Sequence, residues 1–178
     1  WLKSHKIIVF DKRLIQEALV HSSYVNEHKR FEHDNERLEF MGDAVLQLWS
    51  TKKLFLLEPA LNEGAMTTLR AQLVCEEALA SYSRKLGLNQ YLLLGVGEEK
   101  TGGRDRDSIL ADMFEALLGS FFLCSTLMGI VAFCYIIMLK LLIPKSQKDF
   151  FVFFPCDIES CEVRKKAYAL RMKLNLMG

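Results

Sequence analysis

The stretch NERLEFMGD at residues 35–43 decides the fold of this 178-residue chain. Glu39 and Asp43 lie four positions apart in a helical pattern, so both carboxylates occupy one helical face. Like charges at this spacing destabilise an isolated helix by roughly a few tenths of a kcal/mol. A bound cation offsets that repulsion, and hard oxygen ligands suit Mg²⁺ or Mn²⁺. The stretch therefore predicts half of a divalent-metal site on a helix.

A second acidic pair follows in the stretch SILADMFE at residues 108–115. Asp112 and Glu115 are three positions apart and again share one helical face. The alternative is that all these acids are ordinary surface residues of amphipathic helices. Apolar neighbours such as Leu38 and Phe114 favour a cleft instead. Two helices that each offer two carboxylates are what a divalent-metal hydrolase needs.

Five ordered segments resemble the successive motifs of the ribonuclease III catalytic domain. They are residues 35–43, 63–71, 94–99, 102–104 and 108–115, and the likeness covers about residues 8–123. The resemblance implies an all-α, ribonuclease III-type helical endonuclease domain. It further implies a homodimer that cleaves double-stranded RNA with Mg²⁺, or Mn²⁺ in its place, and leaves 5′-phosphate and 3′-hydroxyl ends. A catalytically inactive, RNA-binding scaffold of the same fold is the alternative.

The resemblance also implies roles for individual residues. The expected metal ligands are Glu39, Asp43, Asp112 and Glu115. Asp43 and Glu115 are expected to act in catalysis, and Glu36 and Glu63 to support the site or the dimer interface. Glu36 is equally well explained as an acid favoured by a helix N-terminus. Phe40 matches an aromatic residue that inserts into the partner subunit, with an ordinary core position as its alternative.

The overall charge gives no sign of a nucleic-acid partner, because the formal net charge is only +1. Phosphate contacts must then be local, and Lys100, Arg104 and Arg106 form the obvious basic group. The glycine-rich segment 95–103 lacks both a preceding strand and a G-K-[ST] sequence, which excludes a P-loop. We expect it to be a tight loop near the RNA. No H-E-x-x-H sequence is present, which argues against a zinc site.

Cysteine usage indicates a reducing compartment. The five cysteines are odd in number and include no C-x-x-C pair, so a complete disulfide framework is excluded and the cytoplasm is the expected location. No N-terminal signal peptide is recognisable. The sequence opens at Trp1 rather than at Met, so we expect that its natural start is missing.

Four helices are predicted in the first two-thirds of the chain. The first spans residues 11–20 with Asp11 as N-cap. The segment HSSY at residues 21–24 follows, and a charged loop is then expected through His33. A long helix then begins at Asp34 or Asn35. Its expected buried stripe is Leu38, Met41, Val45, Leu48 and Trp49.

The third predicted helix opens at Asn62, after the interruption at Pro59, and runs to Leu86. Gly87 is expected to end it as a left-handed residue. The fourth begins near Asp107 and carries the second acidic pair.

The chain changes character beyond the second acidic pair. Residues 117–139 contain no charged residue, which by length alone is a membrane-span candidate. Three interpretations compete: a tail foreign to the family, a buried helix pair and a membrane anchor. The first is preferred, because a shifted reading frame near Cys124 explains the change, and no membrane association is expected. The predicted domains are a catalytic domain at residues 1–123 and an atypical apolar and basic tail at 124–178, too short for a complete double-stranded-RNA-binding domain.

Overall fold

The structure, a computed structural model, describes Leu2, residues 11–57 and residues 60–124. Seven α-helices make up this part of the chain: α1 Lys12–Glu17, α2 Ser22–Glu27, α3 Glu36–Phe55, α4 Glu63–Leu73, α5 Glu76–Leu86, α6 Val96–Lys100 and α7 Asp107–Cys124. Short 3-10 turns lie at Asn89–Tyr91 and Gly103–Asp105. Between these described helices, extended pairing is limited to one parallel bridge of Val20 with Leu93. The all-α prediction is confirmed.

Helix α7 is the central element of the fold. It packs most extensively against α3 and α5 and also contacts α1. Its largest fully buried side chains are Leu110, Met113, Phe114, Leu118 and Phe121. A helix that is apolar on nearly every side must be enclosed by its neighbours, which explains its central place.

The first part of the uncharged run belongs to this core. Leu117 and Cys124 are buried at the end of α7, whereas Phe122 and Leu123 are about half exposed. The rest of the run, and residues 125–178 of the tail predicted at 124–178, lie outside the described residues. Of the helices described, none is long and apolar enough to cross a membrane.

Glycines allow α3 and α7 to touch backbone to backbone. A Cβ atom added at Gly42 would lie 1.8 Å from the carbonyl oxygen of Glu115. One added at Gly119 would lie 2.2 Å from the carbonyl oxygen of Leu38. No side chain fits at either position, so the two acid-bearing helices approach as closely as helices can.

The predicted first helix is confirmed, but the loop predicted after it is partly wrong. Asp11 caps α1 by accepting a hydrogen bond from the Arg13 backbone N–H at 2.8 Å. Helix α2 then occupies Ser22–Glu27, and its last residues lie in the segment expected to be a charged loop. The His21 side chain caps this helix, and Tyr24 stacks on His28 with ring centroids 3.9 Å apart. These local contacts stabilise a helix too short to show a clear apolar period.

Helix α3 begins as predicted after Asn35, and most of its expected stripe is correct. Leu38 and Val45 are buried, and the half-buried Met41 and Trp49 pack against the core. The prediction that Leu48 is buried is wrong, because its side chain is 72% exposed. It lies two positions from the buried Leu46, about 200° around the helix, and so faces away from α7.

The segment predicted as one helix from Asn62 to Leu86 forms two helices, α4 and α5. Asn62 caps α4 as expected, accepting from the Ala65 N–H at 2.8 Å, and Gly87 ends α5 at φ 66°. Between them the chain turns at Val74–Cys75. The turn lets α5 bury residues such as Leu79 against the core, whereas α4 has no buried residue.

Candidate metal centre

Three of the predicted metal ligands come together where α3 crosses α7. Glu39, Asp112 and Glu115 each offer a carboxylate oxygen, and these oxygens all lie within 4.8 Å of one another. We call these three residues the acidic cluster. Each is half-buried. The glycine contact between α3 and α7 sets the spacing, since a wider crossing would separate Glu39 from the two acids of α7.

Three negative charges in the acidic cluster are energetically unfavourable. Burial, followed by the charges of Asp43, Glu39 and Asp112, raises the pKa of Glu115 to about 8. Burial is also the largest cause of the raised pKa of Glu39, to which the charge of Asp112 adds. Hard oxygen donors that repel one another in a half-buried site fit a divalent cation such as Mg²⁺ or Mn²⁺.

Asp43 lies beside the acidic cluster rather than within it. Its carboxylate is exposed and accepts a hydrogen bond from the Gln47 side chain at 3.4 Å. Among the neighbouring charges, however, that of Asp43 raises the pKa of Glu115 most. The charge of Asp43 thus acts on Glu115, while its roles as ligand and catalytic residue stay predictions.

A cavity of about 330 Å³ opens beside the cluster. It is lined by His21, Ser22, Asn35, Glu36, Glu39 and Asp112. Glu36 therefore lies at the site. Its charge raises the pKa of Glu39, although burial and the charge of Asp112 are larger causes. Its predicted supporting role rests on this position, and its place in the first turn of α3 also suits the helix dipole.

Several residues near the site carried no functional prediction. After burial, the charge of Glu76 is the largest cause of the raised pKa of Asp112, while His21 lowers it. Glu76 begins α5, and an acid in the first turn is a helix-start signal. That signal was overlooked because α4 and α5 were predicted as one helix. Asn35 was predicted only as a possible cap, and Gly42 only as part of the motif.

Glu63 and Phe40 lie away from the cavity. Glu63 is exposed at the start of α4 and accepts a hydrogen bond from the Thr67 hydroxyl at 2.8 Å. Phe40 is 80% exposed, so the alternative of a core position is wrong for the part of the chain described here. Both predicted roles involve a second subunit and stay predictions.

The predicted RNA-binding arginines are engaged within their own segment. Arg104 forms an ion pair with Glu99 at 2.5 Å and donates to the Asn89 carbonyl at 2.7 Å. Arg106 pairs with Glu98 at 2.5 Å. Phosphate binding by either arginine would compete with these pairs. Lys100 is exposed at the end of α6, which lies within the predicted glycine-rich loop.

Comparison with known proteins identifies the family. The family model described as Ribonuclease-III-like matches residues 11–141, which extends past the predicted domain boundary at residue 123. The chain is 51% identical over 114 residues to proteins named Ribonuclease 3 from Bacillus cereus and Bacillus anthracis. Each alignment covers 64% of this chain and 46% of the relative, so the chain spans about half the length of these relatives.

Solved structures agree with the sequence comparison. Two structures of the nuclease domain of ribonuclease III from Campylobacter jejuni superpose with TM-scores of 0.71 and 0.69 at 34% and 32% identity. They cover 80% and 81% of this chain and 96% and 95% of their own chains. The first is described as flexible in a region involved in dimer formation. With its motifs, its helical fold and its acidic cluster in agreement, the chain belongs to the ribonuclease-III-like family.

Proposed function

We propose that this protein is a divalent-metal-dependent endoribonuclease that hydrolyses double-stranded RNA, acting as a homodimer in the cytoplasm. The expected cofactor is Mg²⁺, with Mn²⁺ able to replace it, and the products carry 5′-phosphate and 3′-hydroxyl ends. The observation that supports this most directly is the convergence of the three carboxylates of the acidic cluster in a family of ribonucleases.

The acidic cluster would hold the cation. When bound, such an ion lowers the pKa of a water molecule and neutralises the charge that develops on the phosphate. Glu39 and Asp112 come from different helices and would hold the ion between α3 and α7. Glu115 keeps a proton at neutral pH when no cation is present, because its pKa is raised to about 8. Asp43, which is exposed beside the cluster, would add a further carboxylate ligand.

Two protomers are needed to cut both strands of a duplex, since the described part of each protomer carries one acidic cluster. The outer face of α3, defined by Phe40, Leu48 and Phe55, exposes at least 71% of each of these large apolar side chains. Such a patch is typical of an interface. Recognition of the RNA is expected to depend on A-form shape, phosphates and 2′-hydroxyls.

The test is cleavage of a synthetic RNA duplex by purified protein. We expect cleavage with Mg²⁺ or Mn²⁺, none with excess chelator, and a fall of several orders of magnitude for Glu115→Gln. Glu77→Gln, an exposed acid on α5 outside the cluster, is the matched control and should cut normally. Duplex cleavage that persists in chelator would exclude the metal mechanism. Binding without cleavage by the wild-type protein would favour the inactive scaffold.

A further inference from the structure

The cavity beside the acidic cluster also contains an unsatisfied donor, the side-chain amide of Asn35. This residue is 3% exposed, and no hydrogen-bond partner for its Nδ2 exists among the described residues. Its backbone is fully used, because its N–H donates to the Val20 carbonyl and its carbonyl accepts from the Glu39 N–H, each at 2.9 Å. The side-chain Nδ2 is left without a partner.

Asn35 stands at the N-cap of α3, where an asparagine side chain normally caps the helix. Here it makes no capping hydrogen bond. Asp34 provides the cap instead, accepting from the Glu36 N–H at 3.2 Å. A buried amide that is neither cap nor core partner lowers the stability of the fold, so a ligand that accepts its hydrogen bond would explain it.

His21 lines the same cavity and offers a second donor. The Ser23 backbone N–H donates to its Nδ1 at 3.2 Å, which makes Nδ1 the acceptor nitrogen of the ring. The neutral imidazole therefore carries its proton on Nε2, at the opposite edge of the ring from Ser23. His21 lines this cavity together with Glu39 and Asp112, so the ring lies next to the acidic cluster.

We propose that Asn35 Nδ2 and His21 Nε2 donate hydrogen bonds to a non-bridging oxygen of the scissile phosphate, an inference that rests on the proposed nuclease function. A phosphodiester entering a cavity lined by Glu36, Glu39 and Asp112 meets only negative side-chain charge. Neutral N–H donors bind the anionic oxygen without forming ion pairs with those carboxylates. An anionic acceptor also makes these hydrogen bonds stronger than neutral ones.

The first measurement is single-turnover cleavage of a short RNA duplex with one mapped cleavage site. Asn35→Leu keeps the side-chain size and should lower the rate at saturating enzyme about 10- to 100-fold. The half-saturating concentration should change little, because most affinity comes from other phosphates. The melting temperature of Asn35→Leu should rise by about 3–6 °C, since an unsatisfied buried group is removed. A purely structural amide would instead lower the melting temperature.

The second measurement uses duplexes with a phosphorothioate diastereomer at the scissile position. Sulfur accepts hydrogen bonds more weakly than oxygen. One diastereomer should therefore lower the cleavage rate of the wild-type protein by a larger factor than it lowers the rate of the Asn35→Leu variant. His21→Asn, which can still cap α2 but lacks the Nε2 donor, should show the same reduced sulfur effect. Asn26→Leu makes the same substitution at an exposed position of α2 and should retain the wild-type effect.

The outcomes separate this inference from the proposed function. Wild-type protein that leaves duplex RNA uncut would overturn both. Wild-type cleavage with equal sulfur effects in the wild-type protein and Asn35→Leu would overturn this inference alone. A 2′-deoxy substitution in the RNA could instead remove the difference in cleavage rate between the wild-type protein and Asn35→Leu. That result would identify the acceptor as a ribose hydroxyl, and the phosphate assignment would be wrong.

Discussion

At Glu115, burial and neighbouring charge act in the same direction. Both raise the pKa of this carboxyl group, to about 8, and Asp43 contributes the largest of the charge effects. A carboxyl group that keeps its proton at neutral pH is a poor ligand for Mg²⁺. Binding of the ion must therefore displace a proton, which couples the metal affinity to pH.

We expect Mg²⁺ affinity to increase as pH rises from about 6.5 to about 8.5, with close to one proton released per ion near the lower end. Titration calorimetry in buffers of different ionisation enthalpy measures this release. Glu115→Gln should bind Mg²⁺ more weakly and should lose most of the proton release. A wild-type protein that binds Mg²⁺ without releasing protons would contradict the raised pKa.

The same pKa predicts how the metal-free protein responds to pH. The pKa of Glu115 is about 8 in the folded protein and near the ordinary glutamate value of 4.5 in the unfolded chain, so between these values the folded state binds more protons. Stability must then fall as pH rises through this window. After allowance for partial exposure, the loss is about 1–2 kcal/mol, or about 3–6 °C in melting temperature. Thermal melts in chelator measure it, and Glu115→Gln should show a smaller loss over the same range.

At the scale of the elements, the contact between α3 and α7 assembles the site. The spacing of Glu39 and Asp43 in one helix, and of Asp112 and Glu115 in another, predicted two acidic pairs, and three of these four carboxylates meet at the helix crossing. Which oxygens meet depends on how closely the helices cross, and that closeness comes from Gly42. A glycine within a helical motif gives no local signal of this role, because its effect appears only when the partner helix is present.

Local chemistry made helix ends more predictable than helix breaks. Asp11 and Asn62 cap helices where expected, because their side chains accept from backbone N–H groups two or three residues later. The break at Val74–Cys75 contains neither glycine nor proline. The local signal there is only the acid Glu76 in the first turn of α5, and the direction of the turn, which buries Leu79 against the core, is a long-range effect.

Gly42→Ala should separate the two helices. Its Cβ would lie 1.8 Å from the Glu115 carbonyl oxygen, so we expect a destabilisation of about 2–3 kcal/mol and a large loss of cleavage. Gly64→Ala is the matched control, since its nearest neighbour would be the Asn62 side chain at 3.7 Å. It should be neutral or slightly stabilising. Urea unfolding and cleavage assays compare them, and equal stability of the two variants would refute the close crossing.

At the scale of the whole molecule, the described surface combines one acidic cluster with one unpartnered apolar face. Phe40, on the outer face of α3, is adjacent in sequence to Glu39 of the cluster. An interface formed through this face would place the two acidic clusters of a dimer in a fixed relation. A two-fold axis is the simplest arrangement that cuts both strands of a duplex.

Phe40→Ala should weaken the dimer about 30-fold, corresponding to about 2 kcal/mol for the loss of a buried aromatic anchor. Duplex cleavage at low protein concentration should fall in parallel, while the metal affinity of each protomer is retained. Sedimentation at a series of concentrations measures the association, with Tyr91→Ala, a 40% exposed aromatic outside α3, as control. A wild-type monomer that still makes staggered double-strand cuts would contradict this assembly.

The contact between Leu38 and Gly119 also determines when activity can appear during folding. It closes a loop of roughly 80 residues, with the entropic cost that such a closure carries. The carboxylate of Glu39 on α3 leaves the ribosome long before those of Asp112 and Glu115 on α7. A nascent chain that ends before α7 therefore lacks two of the three acids of the cluster. The proposed nuclease would therefore stay inactive towards RNA near the ribosome until α7 has been synthesised.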